Sequence, residues 1–322
     1  MTILTLIQAI NIALKLEMKR DKNVIVLGED VGVDGGVFRA TENLLKLYGP
    51  DRVIDTPLAE SAIIGAAIGM AVGGLKPVAE AQFDGFSLPM LDQLFNHAGR
   101  IRNRSRGRFT CPLVLRIPYG GGIRALEHHS ESPETLFCHI PGLKVVVPST
   151  PYDAKGLLSA AIRGSDPVIY LEPKKLYRAV KEEVPENDFV VPIGEAIIRR
   201  EGTDVTLLAW GAMVRECLQA AESANASCEV IDLRSLKPLD INTIINSVKK
   251  TGRVIVVHEA QKTCGFGAEL SALIQEKTFF SLKAPVTRVT GLDIIIPLPK
   301  LEHYYFPDAE KIGKAINEVM SY

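Results

Sequence analysis

The run Pro112-Leu113-Val114-Leu115-Arg116-Ile117-Pro118 is short, rich in Leu, Val and Ile, and bounded by proline at both ends. Such a run is typical of a strand buried on both faces of a sheet. Similar runs recur at 23–28, 77–83, 143–148 and 167–171. Helical stretches lie between most of them: the first starts at Thr5 with a Thr5-x-x-Gln8 capping box, and others are expected at 61–75, 88–104 and 151–163. This alternation predicts an α/β fold whose parallel sheet is covered on both faces.

The domain organisation is predicted from a break in this alternation of strands and helices. The segment 173–192 carries several prolines and a dense mix of charges, which predicts an interdomain linker. A second alternation then follows, with strands expected at 205–210, 229–233, 254–258 and 286–290. We therefore expect residues 1–172 to form the larger α/β domain and residues 193–322 to form a smaller one.

Composition and charge exclude several classes of protein. The chain has 322 residues, of which 47% are hydrophobic, and its formal net charge is −1. This balance argues against a disordered chain and against a partner such as nucleic acid or an anionic membrane. The five cysteines lie far apart without a Cys-x-x-Cys pair, so we expect reduced thiols and a cytoplasmic location. The first residues lack the pattern of a secretion signal.

The first candidate site is Thr56-Pro57-Leu58-Ala59-Glu60, between a short strand expected at 53–55 and a Gly/Ala-rich helix. Sites of α/β proteins lie beyond such strand ends. One interpretation is that Glu60 merely interacts with the helix dipole. The alternative is an acid, kept partly dry by apolar neighbours, that holds a proton and gives it to a ring nitrogen.

The second candidate combines Gly120-Gly121-Gly122 with the histidines His128 and His129. The spacing matches no standard zinc signature, so we expect no metal here. Ser132-Pro133 predicts a helix start with Ser as N-cap and Pro at the first position. One histidine would then lie just before a helix N-terminus, although a lone histidine is most often structural.

Three further patterns have a structural interpretation. Gly65, Gly69 and Gly73 lie on one stripe of the predicted helix 61–75, which indicates close approach of another helix, most simply at an interface. The alternating arginines from Arg100 to Arg108 suit a helix end rather than a nucleic-acid groove. Gly265-Phe266-Gly267 lacks the remaining residues of a phosphate loop, which favours tight helix–sheet packing.

Several segments together carry a resemblance that covers essentially the whole chain. They are Val26–Asp30, Asp55–Glu60, Ala81–Phe83, Glu127–Glu134, Pro141–Pro148 and His258–Ala260. In this order they resemble the beta subunit of the thiamine-diphosphate-dependent 2-oxoacid dehydrogenases, a family that includes the pyruvate and branched-chain enzymes. The resemblance implies a transketolase-like fold, with a pyrimidine-binding domain and a C-terminal domain, in an α2β2 heterotetramer.

The resemblance also implies a reaction and its partners. A 2-oxoacid is decarboxylated, and the acyl group passes to a lipoyl group on a dihydrolipoyl acyltransferase core. Thiamine diphosphate binds between the subunits. This chain lacks the Gly-Asp-Gly and distant Asn that hold Mg²⁺ and the diphosphate, which implies that the alpha subunit supplies them.

Residue roles follow only by resemblance. Glu60 corresponds to the glutamate that hydrogen-bonds the aminopyrimidine, Phe86 to an aromatic stacked on that ring, and Leu58 and Gln82 to its pocket. His129, rather than His128, corresponds to the acyl-transfer histidine. The family's potassium ligands correspond to Leu113, Ala161, Gly164 and Asp166, where Gly164 replaces the usual Asp. The glycine stripe corresponds to an intersubunit helix, and Asp293 to a contact with the acyltransferase core.

Two alternatives stay open at this point. One is a half enzyme of the transketolase or deoxyxylulose-phosphate-synthase type, and the other is a non-catalytic assembly subunit. The segments 82–84 and 88–93 resemble the branched-chain type more than the pyruvate type, so a branched-chain 2-oxoacid is the expected substrate.

Overall fold

The computed structural model describes all residues, 1–322. Its strands are β1 Thr2–Thr5, β2 Val24–Gly28, β3 Val53–Asp55, β4 Lys76–Glu80, β5 Val114–Tyr119, β6 Lys144–Val146, β7 Val168–Pro173, β8 Lys181–Val184, β9 Ile197–Arg200, β10 Val205–Ala209, β11 Cys228–Asp232, β12 Ser235–Lys237, β13 Val254–Gln261 and β14 Thr287–Gly291. Every strand expected from the apolar runs is present, with ends that differ by a few residues.

The α-helices alternate with these strands. They are α1 Leu6–Arg20, α2 Leu44–Tyr48, α3 Glu60–Val72, α4 Leu91–Gln93, α5 Ile101–Arg104, α6 Glu134–His139, α7 Pro151–Arg163, α8 Met213–Ser223, α9 Ile241–Thr251, α10 Phe266–Thr278, α11 Glu302–Tyr305 and α12 Ala309–Met320. The capping box predicted at the start of α1 is confirmed, because Gln8 and the Thr5 side chain satisfy each other's backbone N–H groups. No helix combines the length and apolar character needed to cross a membrane.

The larger sheet has seven strands in the order β12-β6-β7-β5-β4-β2-β3, and all but β12 run parallel. Its central strand β5 is wholly buried yet carries Arg116, which is bound by Glu80 of β4 and Glu172 of β7. The pair with Glu172 is bidentate, at 2.6 and 2.9 Å. A buried charge persists only when it is paired and hydrogen-bonded in this way.

The smaller sheet has the order β14-β13-β10-β11-β9, with β9 antiparallel. The chain connects the two sheets directly, because β12 follows β11 of the smaller sheet and pairs with β6 of the larger sheet. Ion pairs reinforce this junction: Arg234 donates to Asp153 of α7 at 3.1 Å, and Arg199 binds both Asp153 and Asp232. The structure thus holds the two halves together at the β6 edge.

Two local expectations are modified. The segment 173–192 contains β8, which pairs with β1, and Lys174 and Tyr177 within it are buried; the domain limits at 172 and 193 stay a prediction. The helix expected at 88–104 is wrong as one unit: a 3₁₀ turn over Asp84–Met90 that contains Pro89 leads into α4, a π turn and α5.

The predicted packing at Gly265-Phe266-Gly267 is confirmed. A Cβ at Gly267 would lie 2.6 Å from Nε2 of the buried His258 on β13, so only glycine lets α10 approach the sheet this closely.

Candidate active site

The candidate residues gather at the carboxyl edge of the larger sheet. Strand β2 ends just before Glu29 and Asp30, β3 ends at Asp55, and β4 leads to Gln82. Since all three strands are parallel neighbours, their carboxyl ends meet at one edge. The backbone N–H of Thr56 donates to the carbonyl of Gly28 at 3.0 Å, which fixes where the chain leaves β3.

Glu60 is the first residue of α3 and is half-buried. The next residue, Ser61, donates its hydroxyl to the carbonyl of Pro89 at 2.7 Å, which ties the head of α3 to the turn 84–90. Leu58, two residues before Glu60, has 78% of its surface exposed. The helix start therefore presents a carboxylate beside an apolar side chain that nothing in this chain covers.

A second carboxylate lies close to Glu60. Glu29 is buried, and burial together with the negative charge of Glu60 raises the pKa of Glu29. Two carboxyl groups in mutual repulsion favour a state in which one proton is retained. The carboxyl group on which a proton is favoured is therefore Glu29, a neighbour of Glu60 for which the sequence analysis predicted no role.

Aromatic rings and one histidine form a cluster next to this pair. His129 packs edge-on against Phe83, with ring centroids 4.1 Å apart, and against Phe86, at 5.3 Å. Gln82, one residue before Phe83, donates Nε2 to Asp30 at 2.7 Å, so its amide oxygen stays available. The structure thus brings Gln82, Phe86 and His129 together, and Ser61 and Pro89 link them to Glu60.

The structure distinguishes the two histidines. His129 is half-buried, and its Nδ1 is buried without a hydrogen-bond partner. Burial, and then the positive charge of Lys174, lower the pKa of His129. His128 is exposed, and its carbonyl lies where a Cβ at Gly85 would come within 2.4 Å. The ring of His129 is therefore the one enclosed by other side chains. His128 contacts the turn 84–90 through its main chain.

The glycine loop before these histidines is held by the other domain. Glu302 accepts from the backbone N–H groups of Gly122 at 2.7 Å and Arg124 at 3.1 Å, and Glu259 accepts from Gly121 at 3.3 Å. The helix start predicted at Ser132-Pro133 is wrong by one residue: α6 begins at Glu134, and Ser132 makes no capping bond.

The residues that the resemblance implies for potassium are not part of the cluster around Glu60 and His129. Leu113 and Ala161 are buried, and the Asp166 carboxylate is already bound by Arg102 at 2.7 Å, with Lys144 at 3.7 Å. The carbonyl of Ala161 accepts from the N–H of Gly164. The Asp166 carboxylate is therefore already paired with two cations, and the potassium site stays a prediction.

The interface candidates face outward. A Cβ added at Gly69 would meet no atom within 4 Å, and one at Gly65 would meet only the tip of Gln93, at 3.8 Å. Asp293 is held by Thr263, whose backbone N–H and hydroxyl both donate to it at 2.8 Å. These bonds lower the pKa of Asp293, so it presents a fixed, charged carboxylate.

Comparison with known proteins matches each half of the chain to a domain family. The transketolase pyrimidine-binding domain model matches residues 3–180, and the transketolase C-terminal domain model matches residues 194–312. A split-gene transketolase, described as an inactive beta4 tetramer, superposes with a TM-score of 0.80 at 22% identity, over 99% of this chain and 98% of that one. The transketolase-like fold expected from the sequence is confirmed.

Curated relatives match over nearly their full length. The pyruvate dehydrogenase E1 component subunit beta of Acholeplasma laidlawii is 57% identical, over 99% of this chain and 98% of that protein. The protein of the same name from Bacillus subtilis is 50% identical, over 99% of both chains. These names point to pyruvate rather than to the branched-chain acids that 82–84 and 88–93 suggested. The chain belongs to the family of pyruvate dehydrogenase E1 beta subunits.

Proposed function

We propose that this chain, paired with an alpha subunit, decarboxylates pyruvate and passes the acetyl group to a lipoyl group on the acyltransferase core. The observation that carries the proposal is the placement of Glu60 at the head of α3, beside Glu29 and linked through Ser61 to the turn that bears Phe86. Relatives at 57% and 50% identity over the whole chain carry the name of this enzyme component.

Thiamine diphosphate, when bound, supplies the nucleophilic carbon and the electron sink for loss of carbon dioxide. The residues present fit its pyrimidine end. Phe86 offers a half-buried ring for stacking. Leu58 offers exposed apolar surface, and the free amide oxygen of Gln82 offers an acceptor. Glu60 would share a proton with the ring nitrogen, beside the buried Glu29, whose own pKa is raised by burial and by the charge of Glu60.

The other half of the coenzyme needs the alpha subunit. We assign the Mg²⁺ and the diphosphate to that subunit, since this chain lacks the Gly-Asp-Gly segment. An α2β2 assembly through the Gly65, Gly69 and Gly73 stripe would cover the open side of α3. No step is assigned to potassium, because Asp166 already binds Arg102.

His129 is assigned to the transfer of the acyl group. Its half-buried ring lies beside Phe86, so a lipoyl group that approaches the coenzyme would pass this imidazole. The fixed carboxylate of Asp293 is the proposed contact with the acyltransferase core.

The function is tested by co-expression with the candidate alpha subunit, followed by a panel of substrates. We expect turnover of pyruvate to exceed that of a branched-chain 2-oxoacid. The expected ratio is roughly 10–200-fold for each methylene group that distinguishes the two substrates. A half enzyme of the transketolase type would instead act on sugar phosphates without lipoyl acceptor. A non-catalytic subunit would form the tetramer without binding thiamine diphosphate, and either result would overturn the proposal.

A further inference from the structure

A buried ion pair beneath the ring cluster has no role in the function proposed so far. Nζ of Lys174 lies 2.9 Å from Oδ1 of Asp84, and both side chains are completely buried. Lys174 directly follows β7, and Asp84 opens the turn after β4. Removing two charges from water carries a large desolvation cost, which apolar residues of similar volume would avoid.

The ammonium group of Lys174 joins three strand ends. It donates to the carbonyl of Pro118 on β5 at 3.2 Å in addition to Asp84. It also lies 5.6 Å from the centroid of the Phe83 ring, within the range of a cation–π contact. Phe83 in turn packs on His129 at 4.1 Å. A continuous set of contacts therefore runs from Lys174 through Phe83 to the histidine.

The charge of the pair is incompletely cancelled. Oδ2 of Asp84 is buried without a partner, and burial raises the pKa of Asp84 to about 7 despite the adjacent Lys174. Burial also lowers the pKa of Lys174, and the positive charge of Lys174 lowers the pKa of His129. The other titratable groups that act on His129 are His128, whose charge acts in the same direction, and Glu127, which opposes it.

We propose that Lys174, anchored by Asp84, is a positioning residue that fixes the Phe83–His129 packing and disfavours protonation of His129. This inference rests on the proposed function only for the consequence in acyl transfer. The geometry of the ion pair and the protonation of His129 stand apart from that assignment.

The test uses the assembled enzyme with three variants. Lys174→Met alone would leave Asp84 buried and unpaired, so the informative variant is Lys174→Met/Asp84→Asn, which removes both charges. Lys174→Arg keeps the charge, and Lys314→Met removes an exposed lysine paired only with Glu310. The His129 pKa is read by NMR of ring-labelled histidine, and the His129 signal is assigned with His129→Gln.

We expect the double variant to raise the His129 pKa, because a nearby positive charge is lost. Lys174→Arg and Lys314→Met should leave it unchanged. The pH profile of lipoyl acylation should shift in the same direction, while decarboxylation with an artificial electron acceptor stays within about twofold. An unchanged His129 pKa in a folded double variant would overturn the proposal.

A separate result identifies failure of the proposed function. If His129→Gln left lipoyl acylation intact, the acyl-transfer role of His129 would be wrong. The NMR measurement would still decide whether Lys174 controls the protonation of His129.

Discussion

The carboxylate of Glu302 accepts two backbone N–H groups of the glycine loop, from Gly122 at 2.7 Å and from Arg124 at 3.1 Å. A residue of the smaller domain thus holds the segment that precedes His129 in the larger one. Charge-assisted hydrogen bonds of this kind are stronger than neutral ones. The conformation of the loop therefore depends on contact between the domains.

Replacing Glu302 with Ala should loosen this loop without unfolding the protein. We expect the amides of Gly122 and Arg124 to exchange hydrogen at least about tenfold faster, because each loses a bond worth roughly 1.5–3 kcal/mol. Hydrogen–deuterium exchange measures the effect. Glu310→Ala, which removes an exposed carboxylate bound to Lys314, is the control. Equal protection of the loop in both variants would contradict this assignment.

The acyl-transfer role of His129 predicts a separation of two activities. His129→Ala should reduce lipoyl acylation by about 10²-fold or more, the range of general acid–base catalysis. Decarboxylation followed with an artificial electron acceptor should fall much less. The exposed neighbour provides the control, because His128→Ala should affect neither rate strongly. Equal losses in the two assays for His129→Ala would refute the assignment.

The glycine stripe can be tested by adding one methyl group. Gly69→Ala should stabilise the isolated chain by up to about 1 kcal/mol, since a Cβ at this position meets no atom within 4 Å. If another subunit packs on α3, the same methyl group should weaken assembly. Gly313→Ala on α12 is matched, because that Cβ also meets nothing. Unchanged assembly of the Gly69→Ala variant, measured by analytical ultracentrifugation, would argue against the interface.

Two buried glutamates should make a contribution to stability that falls as the pH rises from about 4.5 to 8. Burial raises the pKa of Glu134 to about 8 and that of Glu259 to about 7. The folded state therefore holds protons that the unfolded state has lost, and this contribution disappears as the pH passes through the folded pKa values. Each group contributes a slope of about 1.4 kcal/mol per pH unit.

Glu134→Gln should flatten this dependence. Its amide cannot ionise, so the slope contributed by Glu134 disappears. Urea unfolding at several pH values measures the effect, and Glu310→Gln at an exposed position is the control. A slope for Glu134→Gln identical to that of the parent chain would show that Glu134 does not titrate in this range.

The periodicity of apolar residues predicted where most strands lie, but it did not predict where a helix is interrupted. The apolar runs located every strand of both main sheets that carries a continuous core pattern, and Thr5 and Gln8 located the start of α1. The helix expected at 88–104 was wrong because Pro89 and the π turn break a pattern whose apolar period continues. Strand β12 was missed because Ser235-Leu236-Lys237 contains a single apolar residue, and its pairing with β6 is set by tertiary contacts.

The sequence predicted only some residues of the candidate active site. Glu60 lies in a local strand-to-helix signal, so its position could be predicted. Glu29, Asp84 and Lys174 could not, because their importance arises from contacts across strand ends far apart in the chain. The only local signal for Lys174 was a lysine that directly follows a buried strand.

The central claim is that the Glu60 carboxyl group serves the coenzyme ring in a site shared with the alpha subunit. The most direct test compares pyruvate decarboxylation by assembled tetramers that carry Glu60→Gln or the parent residue, with an artificial electron acceptor. The amide keeps the shape but cannot exchange the proton, so we predict a loss of about 10²–10⁴-fold with the tetramer intact. Turnover within about twofold of the parent enzyme would contradict the account.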